Sequence, residues 1–151
     1  MQTNTVTPFY TLAQLIKDKE VIPLWDTYFS THETLSPICT ERSTLPAQPD
    51  RALSGISSPE LVVFEPKQHR SNNNHQTGIL VIPGGSYQRI AIDREGIEIA
   101  HLLNQWGYTV FVMSYRMPGD GHALGPDVSF VDAQRAMRVI QSNKQWITYF
   151  I

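Results

Sequence analysis

Two short apolar runs flank a segment with helical spacing, and this unit organises the sequence. The runs, residues 78–83 and 109–116, are rich in β-branched and aromatic residues and do not alternate apolar with polar positions. They predict strands buried on both faces, as in a parallel sheet. The apolar residues between them follow the i, i+3, i+4, i+7 spacing of an amphipathic helix: Ile99, Leu102, Leu103 and Trp106. The pattern therefore predicts a β-α-β unit.

Further elements are predicted on both sides of this unit. Residues 59–66 form an apolar run bounded by prolines, residues 21–25 suit a short edge strand, and residues 147–151 have the composition of another strand. Residues 8–19 show a mild helical pattern. A second helix is indicated by four residues with the same spacing as the first: Ala133, Ala136, Met137 and Ile140.

Polar residues and a glycine mark the ends of the two helices. Asp93 is placed to cap the first helix, and Gly107 suits its left-handed stop. Asp127 or Ser129 can cap the second helix, and Asn143 can end it. Both helices therefore have predicted boundaries.

The first third of the chain carries little periodicity. Residues 30–59 are rich in Ser, Thr and Pro, which predicts a long irregular arm over a core or a partly disordered segment. We therefore expect residues 1–58 to be an irregular N-terminal arm with a short helix and an edge strand. Residues 59–151 are expected to form an α/β domain, a small, mostly parallel sheet with flanking helices.

Composition excludes several classes of function. A formal net charge of −2 and the absence of a basic run oppose nucleic-acid or anionic-membrane binding, and no apolar run approaches a membrane span. The single cysteine, Cys39, excludes an intramolecular disulfide and a multi-cysteine metal site. Cys39 and His32 are interpreted as loop residues, and His69 and His75 as solvated. Without a visible signal peptide, a cytoplasmic protein that binds no metal or cofactor is expected.

A glycine-rich turn, Gly84-Gly85-Ser86-Tyr87, follows the first strand of the β-α-β unit. Adjacent glycines let backbone N–H groups face a concavity, which suits a phosphate or an oxyanion. The spacing lacks Gly-x-Gly-x-x-Gly, and no Lys follows as in a P-loop, so the oxyanion interpretation fits better. The remaining alternative is a tight strand-to-helix turn without a ligand.

The same turn nearly matches a Gly-x-Ser-x-Gly nucleophile motif. Ser86 would then be the nucleophile, with the other roles filled from two sets: His101 or His122 as base, and Asp93, Asp120 or Asp127 as acid. Gln88 replaces the last glycine of the motif and would obstruct the helix behind the turn. This alternative is therefore disfavoured, with His101 expected at an exposed helix position and His122 solvated in its loop.

Arg116 and Asp132 are interpreted as structural. Arg116 ends the strand at 109–116, and Asp132 lies in the second helix. An ion pair between them would fix that strand end to the helix, beside the carboxyl edge of the sheet.

Residues 60–142 resemble the front half of an α/β-hydrolase of the esterase-lipase group, especially its acetyl-xylan-esterase-like, carbohydrate-esterase branch. The matching segments are residues 81–87 at the oxyanion turn, 95–100 in the first helix, 107–108, 114–116, and 132–136 in the second helix. Residues 22–25 also resemble the lead-in segment of such esterases. The sequence departs from the family at Pro83 and Ser86, where members usually continue a run of His and Gly or of Gly and Tyr.

The resemblance implies cleavage of a carboxylic ester by a Ser-His-Asp triad without a cofactor, on a small or carbohydrate ester. It assigns Gly84, Gly85 and Ser86 to the oxyanion hole and Tyr87 to the acyl or sugar pocket. The sequence contains no Gly-x-Ser-x-Gly, so we expect a chain truncated before the nucleophile elbow and inactive alone. The alternative is a non-catalytic module that binds a small ligand or oxyanion. A last strand left at an exposed sheet edge would favour self-association.

Overall fold

The computed structural model describes residues 4–26, 35–68 and 77–143, and the backbone of residues 149–150. In chain order the strands of this described part are β1 (Thr5–Pro8), β2 (Glu20–Pro23), β3 (Ile38–Glu41), β4 (Arg51–Ser54), β5 (Glu60–Phe64), β6 (Thr77–Val81), β7 (Ile90–Ala91), β8 (Thr109–Met113) and β9 (Tyr149–Phe150). The helices are α1 (Glu98–Gln105), which continues a π-helical turn at Asp93–Ile97, and α2 (Val128–Ser142), which follows a 3₁₀ turn at Gly125–Asp127. A further 3₁₀ turn covers Leu12–Gln14. None of these helices is long and apolar enough to cross a membrane.

The central sheet has five strands in the order β2-β5-β8-β6-β9. β6 pairs in parallel with β8 and with β9, whereas β2–β5 and β5–β8 are antiparallel pairs. The predicted α/β class is confirmed, but the sheet is mixed rather than mostly parallel. The crossover through α1 makes β6 and β8 parallel, whereas β2 and β5 enter from the N-terminal segment in alternating directions.

The apolar runs form the strands that their pattern predicts. All five residues of β5 and all five of β8 are buried, as expected for strands covered on both faces. β2 lies at one edge of the sheet, which confirms the edge strand predicted around Pro23. Of the strand predicted at 147–151, Tyr149–Phe150 forms β9, and the other residues lie outside the described part.

A second, wholly antiparallel sheet with the order β1-β3-β4-β7 corrects the irregular-arm prediction for residues 38–54. Its strands have only two or four residues, and their burial ranges from fully exposed in β1 to fully buried in β7. They are therefore too short to produce a readable period of two. Cys39, predicted in a loop, lies in β3 and is buried. The histidines at 32, 69 and 75 lie outside the described residues.

One apolar core joins the two sheets. Phe9, Leu12 and Leu53 from the N-terminal segment belong to the same buried cluster as Phe64 and Phe111 of the central sheet. The described N-terminal residues are therefore packed into the core. The division of the chain at residue 58 stays a prediction.

The first helix packs by a face that shares only Leu103 with the predicted one, since Leu103 is partly buried against the core. Ile99, Leu102 and Trp106 are exposed, Trp106 by 55%. Small residues face the sheet instead: Ala100 is fully buried, and a Cβ on Gly96 would lie 2.9 Å from Cγ1 of Val112. The π-helical turn at 93–97 changes the rotation of the helix, and the closest approach to the sheet selects glycine and alanine.

The predicted ends of the helices are partly correct. Gly107 has φ +83° and ends α1, and Asn143 is the C-cap of α2, as predicted. Asp93 does not cap the first helix, because its carboxylate accepts hydrogen bonds from Arg51. Asp127 occupies the N-cap position of α2 without a side-chain hydrogen bond. In the mild helical pattern at 8–19, only the 3₁₀ turn Leu12–Gln14 forms.

Candidate functional site

The glycine-rich turn lies at the carboxyl edge of the central sheet and borders an open cavity of about 420 Å³. The turn directly follows β6, and ligands of α/β sheets commonly bind at the carboxyl ends of the strands. The other walls come from the end of β8 and the start of α2. The lining residues are Ile82, Pro83, Gly84, Gly85, Ser86, Tyr87, Tyr115, Pro126, Ser129, Phe130 and Ala133. The four residues predicted from the sequence therefore share one concavity.

The turn has a backbone that ordinary residues rarely adopt. Gly85 has φ +148°, and a Cβ there would collide with the carbonyl oxygen of Arg89. Ser86 and Tyr87 follow with φ +60° and +57°, consecutive left-handed conformations that cost free energy in non-glycine residues. The carbonyl of Gly85 accepts from the N–H groups of Gln88, at 3.1 Å, and Arg89, at 3.3 Å. Local hydrogen bonds thus hold an unusual loop at the cavity.

The amide groups of the turn are not equivalent. The N–H of Gly84 donates to Oε2 of Glu95 at 2.9 Å, so a carboxylate already occupies it. Among the residues that the structure describes, the N–H groups of Gly85 and Ser86 have no hydrogen-bond acceptor. In the described structure the uncommitted donors of the turn are therefore the N–H groups of Gly85, Ser86 and Tyr87. The assignment of Gly84, Gly85 and Ser86 to an oxyanion hole stays a prediction. In the sequence analysis Glu95 appeared only within a segment that resembles the esterases. No local sequence pattern indicates its hydrogen bond with Gly84.

Tyr115 supports the turn from beneath. Its hydroxyl donates to the carbonyl oxygen of Pro83 at 2.6 Å. Burial, together with the neighbouring Tyr87 and Glu95, raises the pKa of Tyr115 to about 12. The hydroxyl therefore remains protonated and keeps donating at physiological pH.

The alternative triad around Ser86 is not assembled. The ring of His101 packs edge-on against Phe64, 5.5 Å between centroids, and Phe64 pairs with Val110 at the end of β8 remote from the turn. His101 is exposed, as predicted. Asp93 is bound by Arg51. None of the predicted bases or acids lines the cavity of Ser86: His101, His122, Asp93, Asp120 and Asp127.

His122 is buried, which corrects its prediction as a solvated loop residue. Its ring hydrogen-bonds the backbone of Ile56, while Nε2 has no partner in the described structure and only 6% of the residue is exposed. Burial, reinforced by the positive charge of Arg116, lowers the pKa of His122. Oδ2 of Asp120 is also buried without a partner in the described part, and burial raises the pKa of that carboxyl.

The predicted ion pair between Arg116 and Asp132 is confirmed. Nη2 of Arg116 lies 2.6 Å from Oδ1 of Asp132, and both side chains are buried. Oδ1 also accepts from Nε1 of Trp25 at 2.9 Å. Trp25 lies 107 positions before Asp132 in the sequence, so no local pattern indicates this contact. These contacts join α2 to the residues that follow β8 and β2.

In the described ranges, no group of three or more His, Cys, Asp or Glu side chains is arranged to hold a metal ion.

Comparison with known proteins identifies a distant structural similarity. No protein-family model and no curated protein matches the sequence. Among solved structures, the chain is similar to an alpha/beta hydrolase enzyme from a Medee basin deep-sea metagenome library, with a TM-score of 0.45 and 21% identity. The similarity covers 84% of this chain and 40% of that enzyme. The chain therefore spans less than half the length of the enzyme.

Proposed function

We propose that residues 84–87 are the oxyanion-stabilising turn of a serine carboxylic-ester hydrolase with an α/β-hydrolase fold. The observation that carries the proposal is the pair of uncommitted N–H groups at Gly85 and Ser86, beside a cavity at the carboxyl edge of β6. Backbone N–H groups fixed before the reaction stabilise the negative oxygen of the tetrahedral intermediate. The strained, locally bonded turn provides such fixed donors.

The proposal assigns only part of the chemistry to these 151 residues. Gly85 and Ser86 would donate to the oxyanion, and the sequence contains no Gly-x-Ser-x-Gly that would supply the attacking hydroxyl. Ser86 contributes its N–H rather than its side chain, because no predicted base or acid lines its cavity. An oxyanion hole and binding site without a nucleophile retain only residual catalysis.

The substrate class follows from the cavity walls. Tyr87 and Phe130 are exposed aromatic residues that line the same concavity as the turn. Aromatic faces pack against the apolar parts of an acyl group or a sugar ring. We infer an acetylated carbohydrate or another small ester as the substrate.

The second candidate is a module that binds an oxyanion-containing ligand without catalysis. It needs no attacking hydroxyl, and the sequence contains no Gly-x-Ser-x-Gly motif that would supply one. The carboxylate of Glu95 on the N–H of Gly84 opposes a negative oxygen under both candidates. The two candidates differ in turnover and share the donors.

The test is a titration of the ¹⁵N-labelled 151-residue chain with methylphosphonate, a tetrahedral oxyanion. We expect saturable downfield shifts of the Gly85 and Ser86 amide protons, and no comparable shift at Gly84, whose N–H is engaged. Unchanged Gly85 and Ser86 resonances would refute both candidates. Hydrolysis of 4-nitrophenyl acetate is measured in parallel. It should exceed the buffer rate by a residual amount only if residues 84–87 are the oxyanion hole of an ester hydrolase, and should equal the buffer rate for a non-catalytic module.

Two substitutions separate the backbone from the side chains. Ser86→Ala keeps the amide and should bind methylphosphonate as the unmodified chain does. If the unmodified chain turned over an acetyl ester and Ser86→Ala lost that turnover, Ser86 would instead be a nucleophile.

Glu95→Gln keeps an oxygen that can accept from Gly84 and removes the charge, so it should bind the anion severalfold more tightly. Equal affinities in Glu95→Gln and the parent chain would show that the carboxylate does not govern the donors.

A further inference from the structure

A second cavity, of about 270 Å³, lies on the other side of the β8 terminus. It is lined by three stretches of the N-terminal half, residues 8–10, 35–37 and 56–58, and by Glu60 and Ser114. Ser114 lines this cavity, whereas the next residue, Tyr115, lines the cavity of the glycine-rich turn. The two sites are therefore separate neighbours at one edge of the sheet.

The walls of this second cavity are mainly apolar, and several of the lining side chains contain rings. Phe9, Pro37 and Ile56 contribute flat or branched apolar surface. Tyr10 also lines it, with 86% of the residue exposed, which places an aromatic side chain at the open end. Such a surface favours a compact apolar ring over an extended or strongly charged ligand.

One lining residue, Glu60, has a desolvated carboxylate. Glu60 is only 9% exposed, and its carboxylate accepts from the hydroxyl of Thr11 at 2.6 Å and the N–H of Leu12 at 2.7 Å. Each carboxylate oxygen has a further acceptor site. Burial raises the pKa of Glu60, against the two hydrogen bonds that lower it. The backbone beneath is rigid, since Glu60 donates to Oγ of Ser114 and Ser114 donates to the carbonyl of Glu60, both at 2.9 Å.

We propose that this second cavity binds a small aromatic alcohol or phenol, with its ring between Phe9, Tyr10 and Pro37 and its hydroxyl donating to Glu60. The apolar walls select the ring, and an acceptor-only carboxylate selects a donor. The same carboxylate repels an anionic ligand. The site is independent of the oxyanion turn and does not require ester hydrolysis.

The test compares three probes of similar size on the ¹⁵N-labelled 151-residue chain: 4-methylphenol, toluene and benzoate. 4-Methylphenol should shift the amides of Ser57, Ser58 and Ser114 saturably. Toluene, which has the ring without the donor, should bind at least about tenfold more weakly, because it cannot donate a hydrogen bond to the carboxylate. Benzoate should not bind. Equal affinity for toluene and 4-methylphenol, or no saturable shift with 4-methylphenol, would overturn the proposal.

Matched substitutions locate the probe. Tyr10→Ala removes an exposed ring at the open end of this cavity and should weaken 4-methylphenol binding severalfold. Ser58→Phe adds a side chain at a half-buried lining position and should also reduce it. Phe130→Ala removes an exposed ring from the other cavity and should leave the affinity unchanged. Weaker binding in Phe130→Ala with unchanged binding in Tyr10→Ala would place the probe at the glycine-rich turn and refute the assignment.

Discussion

Asp132 is the centre of a group of buried polar contacts. Its carboxylate accepts from the backbone and guanidinium of Arg116 and from the indole of Trp25, with no exposed surface. The guanidinium groups of Arg116 and Arg135 lie 5.7 and 5.3 Å from the Trp25 ring centroid, and Arg135 also donates to the carbonyl of Leu24. One helix residue therefore ties α2 to the end of β8 and to the segment after β2.

Asp132→Ala should strongly destabilise the fold. It leaves the Arg116 guanidinium buried without its carboxylate, and breaking a buried ion pair typically costs about 3–5 kcal/mol. The free energy of unfolding, measured by urea titration, should fall by this amount. Asp127→Ala is the matched control, because Asp127 is exposed at the N-cap of α2 without a side-chain hydrogen bond. Equal stabilities of the two variants would contradict the structural role of Asp132.

The π-helical turn before α1 determines how this helix meets the sheet. Gly96 lies against β8 and the glycine-rich turn, since a Cβ there would be 2.9 Å from Val112 and 3.2 Å from Pro83. The same turn carries Glu95 to the N–H of Gly84. Close packing and the geometry of the candidate site thus depend on one short element.

Gly96→Ala should destabilise the protein and disturb the turn together. Overpacking of a well-filled site costs about 1–3 kcal/mol, and the displaced Pro83 precedes the donors at Gly85 and Ser86. Thermal unfolding should show a lower midpoint, and the methylphosphonate shifts should weaken. Gly119→Ala is the control, because no atom lies within 4 Å of the added Cβ and the backbone has no positive φ. An unchanged midpoint in Gly96→Ala would show that the helix can move away from β8 without cost.

Across the whole molecule, the N-terminal residues are held to the central sheet by buried polar groups as well as the shared core. Glu60 holds Thr11 and Leu12, and Arg51 of the small sheet pairs with Asp93 at the start of the π-helical turn. His122 hydrogen-bonds Ile56 from the loop after β8. These contacts join segments that are distant in sequence, so the two sheets should unfold together.

The stability of the fold should decrease in acid because of His122. Burial lowers its pKa in the folded state, so the unfolded chain takes up the proton first. The contribution of His122 is present above its unfolded pKa of about 6.5 and is lost as the pH falls through the lower folded value. The raised pKa of Asp120 acts with the opposite sign, since that contribution is lost as the pH rises through its folded value.

The variant His122→Asn isolates this effect. Asn keeps a donor for Ile56 and cannot be protonated. As the pH falls below about 6.5, the unfolding free energy of the parent chain should therefore decrease relative to that of His122→Asn. Chemical denaturation at a series of pH values measures it. A pH-independent difference would show that His122 does not titrate between the folded and unfolded states.

The sequence by itself determined the features that depend on neighbouring residues. Runs such as β5 and β8 are apolar at every position because both faces are covered, Gly107 suits a left-handed stop, and the glycines at 84 and 85 mark the turn. The ion pair of Arg116 with Asp132 was also predictable, because a strand end and the next helix meet at one sheet edge.

Only the tertiary structure decided the rest. The antiparallel sheet containing Cys39, the exposed stripe through Trp106, the burial of His122 and the contact of Glu95 with Gly84 all arise from packing between segments far apart or from a change in helical rotation. Such contacts leave no local period in the sequence, because the partner that makes them favourable is brought near only by the fold.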